Sequence, residues 1–193
     1  MPRKRSVSDE VILDEALRLA ETRGPAALTF QSLSAEVGLA PATLVQRFGT
    51  KPALLQAALL RAWDHLDAHT AAADAAAGDG PDGVVDMLLR ISGTYDPSEE
   101  ADQILLLRED LRDPVLRARG QAWIATLEAA VERRLPAAPP GVGRLVVALW
   151  QGSLTVWQFQ RRGALDVALA EAVAALLVAL GFAVGPESGA GRA

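Results

Sequence analysis

"EVGLAPATLVQRFGTKPALL", residues 36–55, interrupts an otherwise apolar, helix-forming chain three times in twenty residues. The interruptions are Gly38, Pro41 and the run Gly49-Thr50-Lys51, and Thr43, Gln46 and Arg47 stand between the last two. Pro41 suits the first position of a helix, where its missing N–H would have no partner anyway, and Leu44 and Phe48 share one face at i, i+4. With that face turned inward, Thr43, Gln46 and Arg47 must turn outward. Upstream, Thr29 is a good N-cap, Leu33 and Val37 repeat at i, i+4, and Gly38 ends the helix after barely two turns. The reading is two short helices meeting at Gly38-Leu39-Ala40. This is a helix-turn-helix, a unit whose second helix offers its N-terminal residues to the DNA major groove. Gly38 supplies the left-handed backbone of the turn, Leu39 plugs the angle between the helices, and Gly49 ends the second one.

Working outward, Ser8 caps a first helix whose Asp9 and Glu10 suit the positive end of the helix dipole. Its apolar positions Ile12, Ala16, Leu19 and Ala20 recur at helical spacing until Gly24-Pro25 stops the run. Thr50 caps a fourth helix, which carries Leu55, Leu59 and Trp63 toward Ala77. Lys51, at its start, joins a positive side chain to free backbone N–H groups, a favourable place for a phosphate. Arg47 suits a phosphate or a guanine edge, and Gln46 suits an adenine edge.

Half of the 193 residues are apolar and 22% are charged, which describes a folded globular chain. Ala and Leu are abundant and β-branched and aromatic residues scarce, so the expected fold is all-α. The absence of cysteine excludes disulfides and fits a cytoplasmic location, as does the lack of a signal peptide or of an apolar run long enough to span a bilayer. The net charge is −5, yet residues 1–51 hold seven basic against six acidic side chains, so the acidity lies in the rest of the chain. A local face can bind an anion while the body stays acidic.

The stretch from Ile12 to Leu55, with "ILDEALRLAETRG", "LTFQSLSAEVGLAPATLVQRF" and "TKPALL", resembles the DNA-binding domain of the tetracycline-repressor (TetR) family of bacterial transcriptional regulators. It covers roughly the first quarter of the chain. The resemblance implies that Pro41, Ala42, Thr43, Val45 and Gln46 face bases or sugars, that Gln31 meets the groove edge, and that Thr29, Arg47 and Lys51 hold phosphates. Two positions depart from the family. Val45 stands where a tyrosine is usual, offering an apolar surface to a thymine methyl, and Ala40 stands where a capping serine or threonine is common, weakening the helix start. The basic arm Arg3, Lys4, Arg5 reads equally as a minor-groove arm or as a plain solubilising terminus.

Beyond the turn cluster "GDGPDG" the pattern predicts five more helices, over residues 84–92, 98–111, 114–135, 142–162 and 165–180, making about nine in all. The domains expected are residues 1–51 for DNA binding and 52–193 for ligand binding and dimerisation, with a mobile tail of about nine residues. Residues 145–160 run without a charge, and 165–180 carry only Asp166 and Glu171. Helices so apolar need cover on nearly every side, which assigns them to a two-fold, four-helix dimer interface. Met87, Tyr95, Trp123, Trp150, Gln151, Trp157 and Gln158 are candidates to line a pocket for a small apolar effector, because apolar walls with a few polar groups describe such sites. Single tryptophans more often fill a core than line such a wall. His65 and His69 stand at i, i+4, but no further ligand cluster accompanies them and no metal or cofactor is expected.

Catalytic motifs are missing: there is no nucleophile elbow, HExxH or phosphate loop. The expectation is a homodimeric repressor that binds palindromic double-stranded DNA and leaves it when the effector binds, with the helix beginning at Lys51 as the lever. An all-helical enzyme or carrier with a vestigial N-terminal unit, and an activator, are the alternatives.

Overall fold

The computed structural model describes residues 7–93 and 100–185. Within them the chain forms nine α-helices and no strand: α1 (Asp9–Arg23), α2 (Phe30–Val37), α3 (Pro41–Phe48), α4 (Lys51–Ala76), α5 (Gly80–Ser92), α6 (Glu100–Arg112), α7 (Pro114–Arg134), α8 (Val142–Gln160) and α9 (Leu165–Ala179). The all-α expectation and the helix count hold. The start of α5 is displaced, at Gly80 where the pattern predicts Val84, and α6, expected from residue 98, is described from Glu100. Pro81 fits the first turn of a helix, where no N–H is needed, so part of the apparent turn cluster is helical. The expected mobile tail lies almost wholly outside the described residues.

The chain divides into two compact units, Met1–Leu66 with Asp96–Gln121, and Asp67–Tyr95 with Ala122–Ala193. In the first, the starts of α1, α2 and α4 are each capped by a nearby hydroxyl. The Ser8 hydroxyl accepts from the Val11 N–H at 3.4 Å. Thr29 Oγ1 accepts from the Ser32 N–H at 3.0 Å while Ser32 Oγ accepts from the Thr29 N–H at 2.9 Å, a reciprocal capping box. Thr50 Oγ1 takes the Ala53 N–H at 3.3 Å.

Helices α2 and α3 have eight residues each, too few to persist alone, and each buries one wholly enclosed leucine, Leu33 and Leu44. Those two join Ile12, Leu19, Leu28, Leu54 and Leu116 in one core, with Leu39 and Phe48 packed at its edge. Each such leucine contributes roughly 1.5–3 kcal/mol of burial. At the α6–α7 corner a single carboxylate has two tasks: Asp113 Oδ1 accepts from the Val115 and Leu116 N–H groups at 2.8 and 3.3 Å, and Oδ2 accepts from Gln56 Nε2 at 2.6 Å.

In the second unit α9 packs on α8 and α5, and Met87, Leu127, Val146, Leu169, Val173 and Leu177 are buried. Gly143 lies so near α7 that a Cβ there would stand 2.4 Å from the Glu128 carbonyl oxygen. Arg134 is buried and donates to the carbonyls of Asp74, Ala77, Gly78 and Ala130 and to the Asp74 carboxylate, tying the ends of α4 and α7 together.

Candidate nucleic-acid interface

Gly38 is left-handed (φ 67°, ψ 22°) and its N–H donates to the Ser34 carbonyl at 3.1 Å, closing α2. The Ser34 hydroxyl then donates to the Leu39 carbonyl at 2.6 Å, which fixes the turn from the other side. Ala40 gives α3 no side-chain cap. Little is left for a cap to do, because Pro41 has no N–H and the Thr43 N–H already bonds the Ala40 carbonyl at 2.9 Å.

With Leu44 enclosed and Phe48 half-buried, Ala42, Val45, Gln46 and Arg47 are exposed, and Val45 keeps 44% of its surface. Pro41 and Thr43 are half-buried, so Thr43 stands less proud than its neighbours. Gln31 is exposed on the first turn of α2, and Thr29 is half-buried with its hydroxyl engaged in the capping box. Lys51 is half-buried, and its Nζ donates to the Ala26 carbonyl at 2.8 Å, bracing the loop that leads into α2. Arg47 Nη1 donates to the Val7 carbonyl at 2.7 Å and to Asp9 Oδ1 at 3.1 Å.

Other basic groups of this unit are paired as well. Arg18 meets Glu15 and Glu36, Arg23 meets Glu36, and Arg61 meets Asp14 at 2.8 Å. The hydrogen bond from Arg61, with its charge, holds the Asp14 carboxyl below its ordinary range against the opposing pull of burial. The sequence marks Asp9 only as a helix-dipole partner and gives no sign of the Ser34–Leu39 or Lys51–Ala26 bonds, because spacing along the chain carries no signal for a bond made across a turn or across tens of residues.

Of the seven residues proposed to line a pocket, Tyr95 lies outside the described residues. Trp123 and Trp150 come together, ring centroids 6.3 Å apart at 50°, both buried, with their indole N–H groups donating to Thr70 Oγ1 and Ser92 Oγ, each at 2.9 Å. Met87 is wholly buried. Trp157, Gln151 and Gln158 are half-buried, and the Arg161 guanidinium lies over the Trp157 ring at 5.1 Å. In the first unit, an open concavity of about 480 Å³ is lined by Leu60, Pro114, Val115, Ala118 and Arg119.

His65 Nε2 lies 3.4 Å from Asp14 Oδ1, and His69 Nε2 lies 3.0 Å from the Arg90 carbonyl. Among the described residues no group of three or more His, Asp or Glu is arranged to hold a metal, and no helix is long and apolar enough to cross a membrane.

Residues 12–58 match the family described as bacterial regulatory proteins, tetR family. No curated protein matches the sequence. Among solved structures, the multidrug binding protein EbrR in complex with imidazole superposes with a TM-score of 0.64 at 23% identity, over 94% of this chain and 99% of that one. A putative transcriptional regulator from Saccharomonospora viridis in complex with choline gives a TM-score of 0.68 at 18% identity, over 86% and 93%. AmtR of Mycobacterium smegmatis gives 0.55 at 21%, over 96% and 92%. The likeness to these three is one of fold.

Proposed function

We propose that the protein is a homodimeric, ligand-responsive transcriptional repressor, a reading supported by the match of residues 12–58 to the tetR family of bacterial regulatory proteins. The observation that carries the reading is the division of α3: Leu44 inside, and Ala42, Val45, Gln46 and Arg47 outside on a helix whose entry is fixed by Gly38 and Ser34. Residues 1–51 form the DNA-binding domain. Pro41, Ala42, Thr43, Val45 and Gln46 meet bases or sugars, Gln31 meets the groove edge, Thr29 and Lys51 flank a phosphate, and Arg47 adds positive charge at the end of the helix.

Residues 52–193 bind the effector and the second subunit. Exposed Leu145, Gly152, Val156 and Phe159 on α8 and Val167 and Val178 on α9 supply an apolar surface for a two-fold partner. Pairing places two reading helices about 34–36 Å apart, the repeat of a palindromic site. An apolar effector held against Met87, Tyr95, Trp123, Trp150, Gln151, Trp157 and Gln158 binds the dimer better when that spacing is wrong, and so shifts the population off DNA. The complexes of EbrR with imidazole and of the Saccharomonospora viridis regulator with choline support a small-molecule effector.

Titration of a labelled duplex taken from the DNA flanking its own gene tests the reading. Binding is expected to require the palindrome, to weaken steeply with salt, and to fall by about five- to 150-fold in Gln46→Ala, since a bidentate base contact is worth ~1–3 kcal/mol. Binding indifferent to salt and to sequence overturns it.

A further inference from the structure

Residues 7–66 carry five cations, Arg18, Arg23, Arg47, Lys51 and Arg61, against seven carboxylates, an acidic balance for a region proposed to meet DNA. Each of the five cations is committed within the protein. Arg18 and Arg23 meet Glu36, Arg61 meets Asp14, and Lys51 Nζ donates to the Ala26 carbonyl. Arg47 Nη1 donates to the Val7 carbonyl at 2.7 Å and to Asp9 Oδ1 at 3.1 Å. A duplex that draws positive contacts from this region must therefore take them from partners already in place. Among these five, Arg47 alone stands on α3, and its charged partner is a carboxylate. Lys51 would leave only a neutral carbonyl, which repels no phosphate.

The Asp9 side chain is 65% exposed and that of Arg47 28%, so the pair is open to an incoming anion. A phosphate that takes the other edge of the guanidinium comes within roughly 5–7 Å of the Asp9 carboxylate, closer than the Debye length of ~8 Å at physiological salt, and the two anions repel. Phosphate and Asp9 thus compete for one cation. The exchange costs little on the protein's side. Exposed ion pairs are weak, and Asp9, the first residue of α1, keeps the favourable field of the helix dipole when Arg47 leaves it.

We propose that Asp9 sets the affinity for DNA: its carboxylate occupies Arg47 in the free protein where a phosphate of the duplex would otherwise bind, and it is displaced from Arg47 when α3 enters the groove. The inference rests on the DNA-binding reading and adds to it a residue that opposes binding.

Asp9→Asn removes the charge and keeps an acceptor oxygen for Arg47. In mobility-shift titration on the duplex flanking its own gene, at about 50 mM salt, this variant is expected to bind about fivefold more tightly than the unaltered chain. Two comparisons separate competition from bulk charge. Glu10→Gln removes a neighbouring exposed carboxylate that does not bond Arg47, and is expected to change affinity by less than about twofold. In an Arg47→Ala background the gain from Asp9→Asn is expected to shrink below about twofold as well, because no cation is left to compete for. Unchanged or weaker binding by Asp9→Asn, an equal gain from Glu10→Gln, or a gain that survives Arg47→Ala overturns the competition while leaving the regulator reading intact. If neither the unaltered chain nor Asp9→Asn binds the duplex, the regulator reading falls and this inference falls with it.

Discussion

Arg134 shows what one side chain can carry. Four carbonyls and the Asp74 carboxylate surround its guanidinium inside the second unit, the carboxylate being shared with Arg133. Arg134→Ala is expected to destabilise the chain by about 3 kcal/mol, read as a lowered midpoint in urea, because hydrogen bonds to a charged group are lost and buried acceptors are left bare. In the sequence this residue is the second of two arginines ending a helix, indistinguishable from Arg133, which is exposed. Burial of a charge has no local signature. The carboxyls give a pH prediction. At Asp74 burial pushes the group up, but the bonds and charges of Arg134 and Arg133 outweigh it and hold the group below 3.8. Asp14 and Asp113 are held low by their bonds from Arg61 and Gln56. Stability from these three is fully present above the unfolded value of 3.8 and fades as pH falls through the lower folded values, so the urea midpoint should hold from neutral pH to about 4 and drop below it. Asp110 has the opposite sign. Burial raises it despite the bond from Trp63, with the charge of Asp113 adding to the rise, so its contribution is present at low pH and is lost as pH rises through its folded value. Asp110→Asn keeps an acceptor for Trp63 without the charge and is expected to leave the thermal midpoint at pH 7 unchanged or higher.

At the scale of the element, two glycines of α8 separate packing from propensity. A Cβ at Gly143 would meet the Glu128 carbonyl at 2.4 Å, whereas one at Gly152 would meet nothing within the subunit. Gly143→Ala is therefore expected to cost about 1–3 kcal/mol by forcing α8 off α7, and Gly152→Ala to stabilise the isolated subunit by about 0.5–1 kcal/mol, both measurable by denaturant titration. Helix identities and most boundaries were legible because caps, prolines and apolar spacing are local facts; Thr29 and Pro41 announce their helices with no help from the rest of the chain. The exposure of Gln46 and Arg47 followed from the inward placement of Leu44 by simple periodicity, whereas Thr43, expected outward with them, is half-buried. What the periodicity missed was the engagement of Arg47 and Lys51, since each bonds a carbonyl far away in sequence. The indoles of Trp123 and Trp150 were assigned to a pocket on spacing, and their hydrogen bonds to Thr70 and Ser92 likewise join helices that spacing cannot relate.

For the molecule as a whole, the proposal stands on a second subunit. Phe159 keeps 88% of its surface and Leu145 keeps 54%, both on α8. Leu145→Asp with Phe159→Asp is expected to shift the protein from dimer to monomer in sedimentation at micromolar concentration and to abolish binding to a palindrome, while leaving the helical content unchanged. A monomer already present in the unaltered protein at that concentration would remove the two-fold geometry from the account. One last consequence comes from the α6–α7 corner. The carboxylate of Asp113 closes the first turn of α7 with one oxygen and grips Gln56 of α4 with the other, so neither grip can be traded for slack in the other. Any rotation of the corner must either strip Gln56 of its acceptor or unwind the start of α7. Such a joint is expected to act as a detent, resisting small displacements because two sets of bonds must give way together.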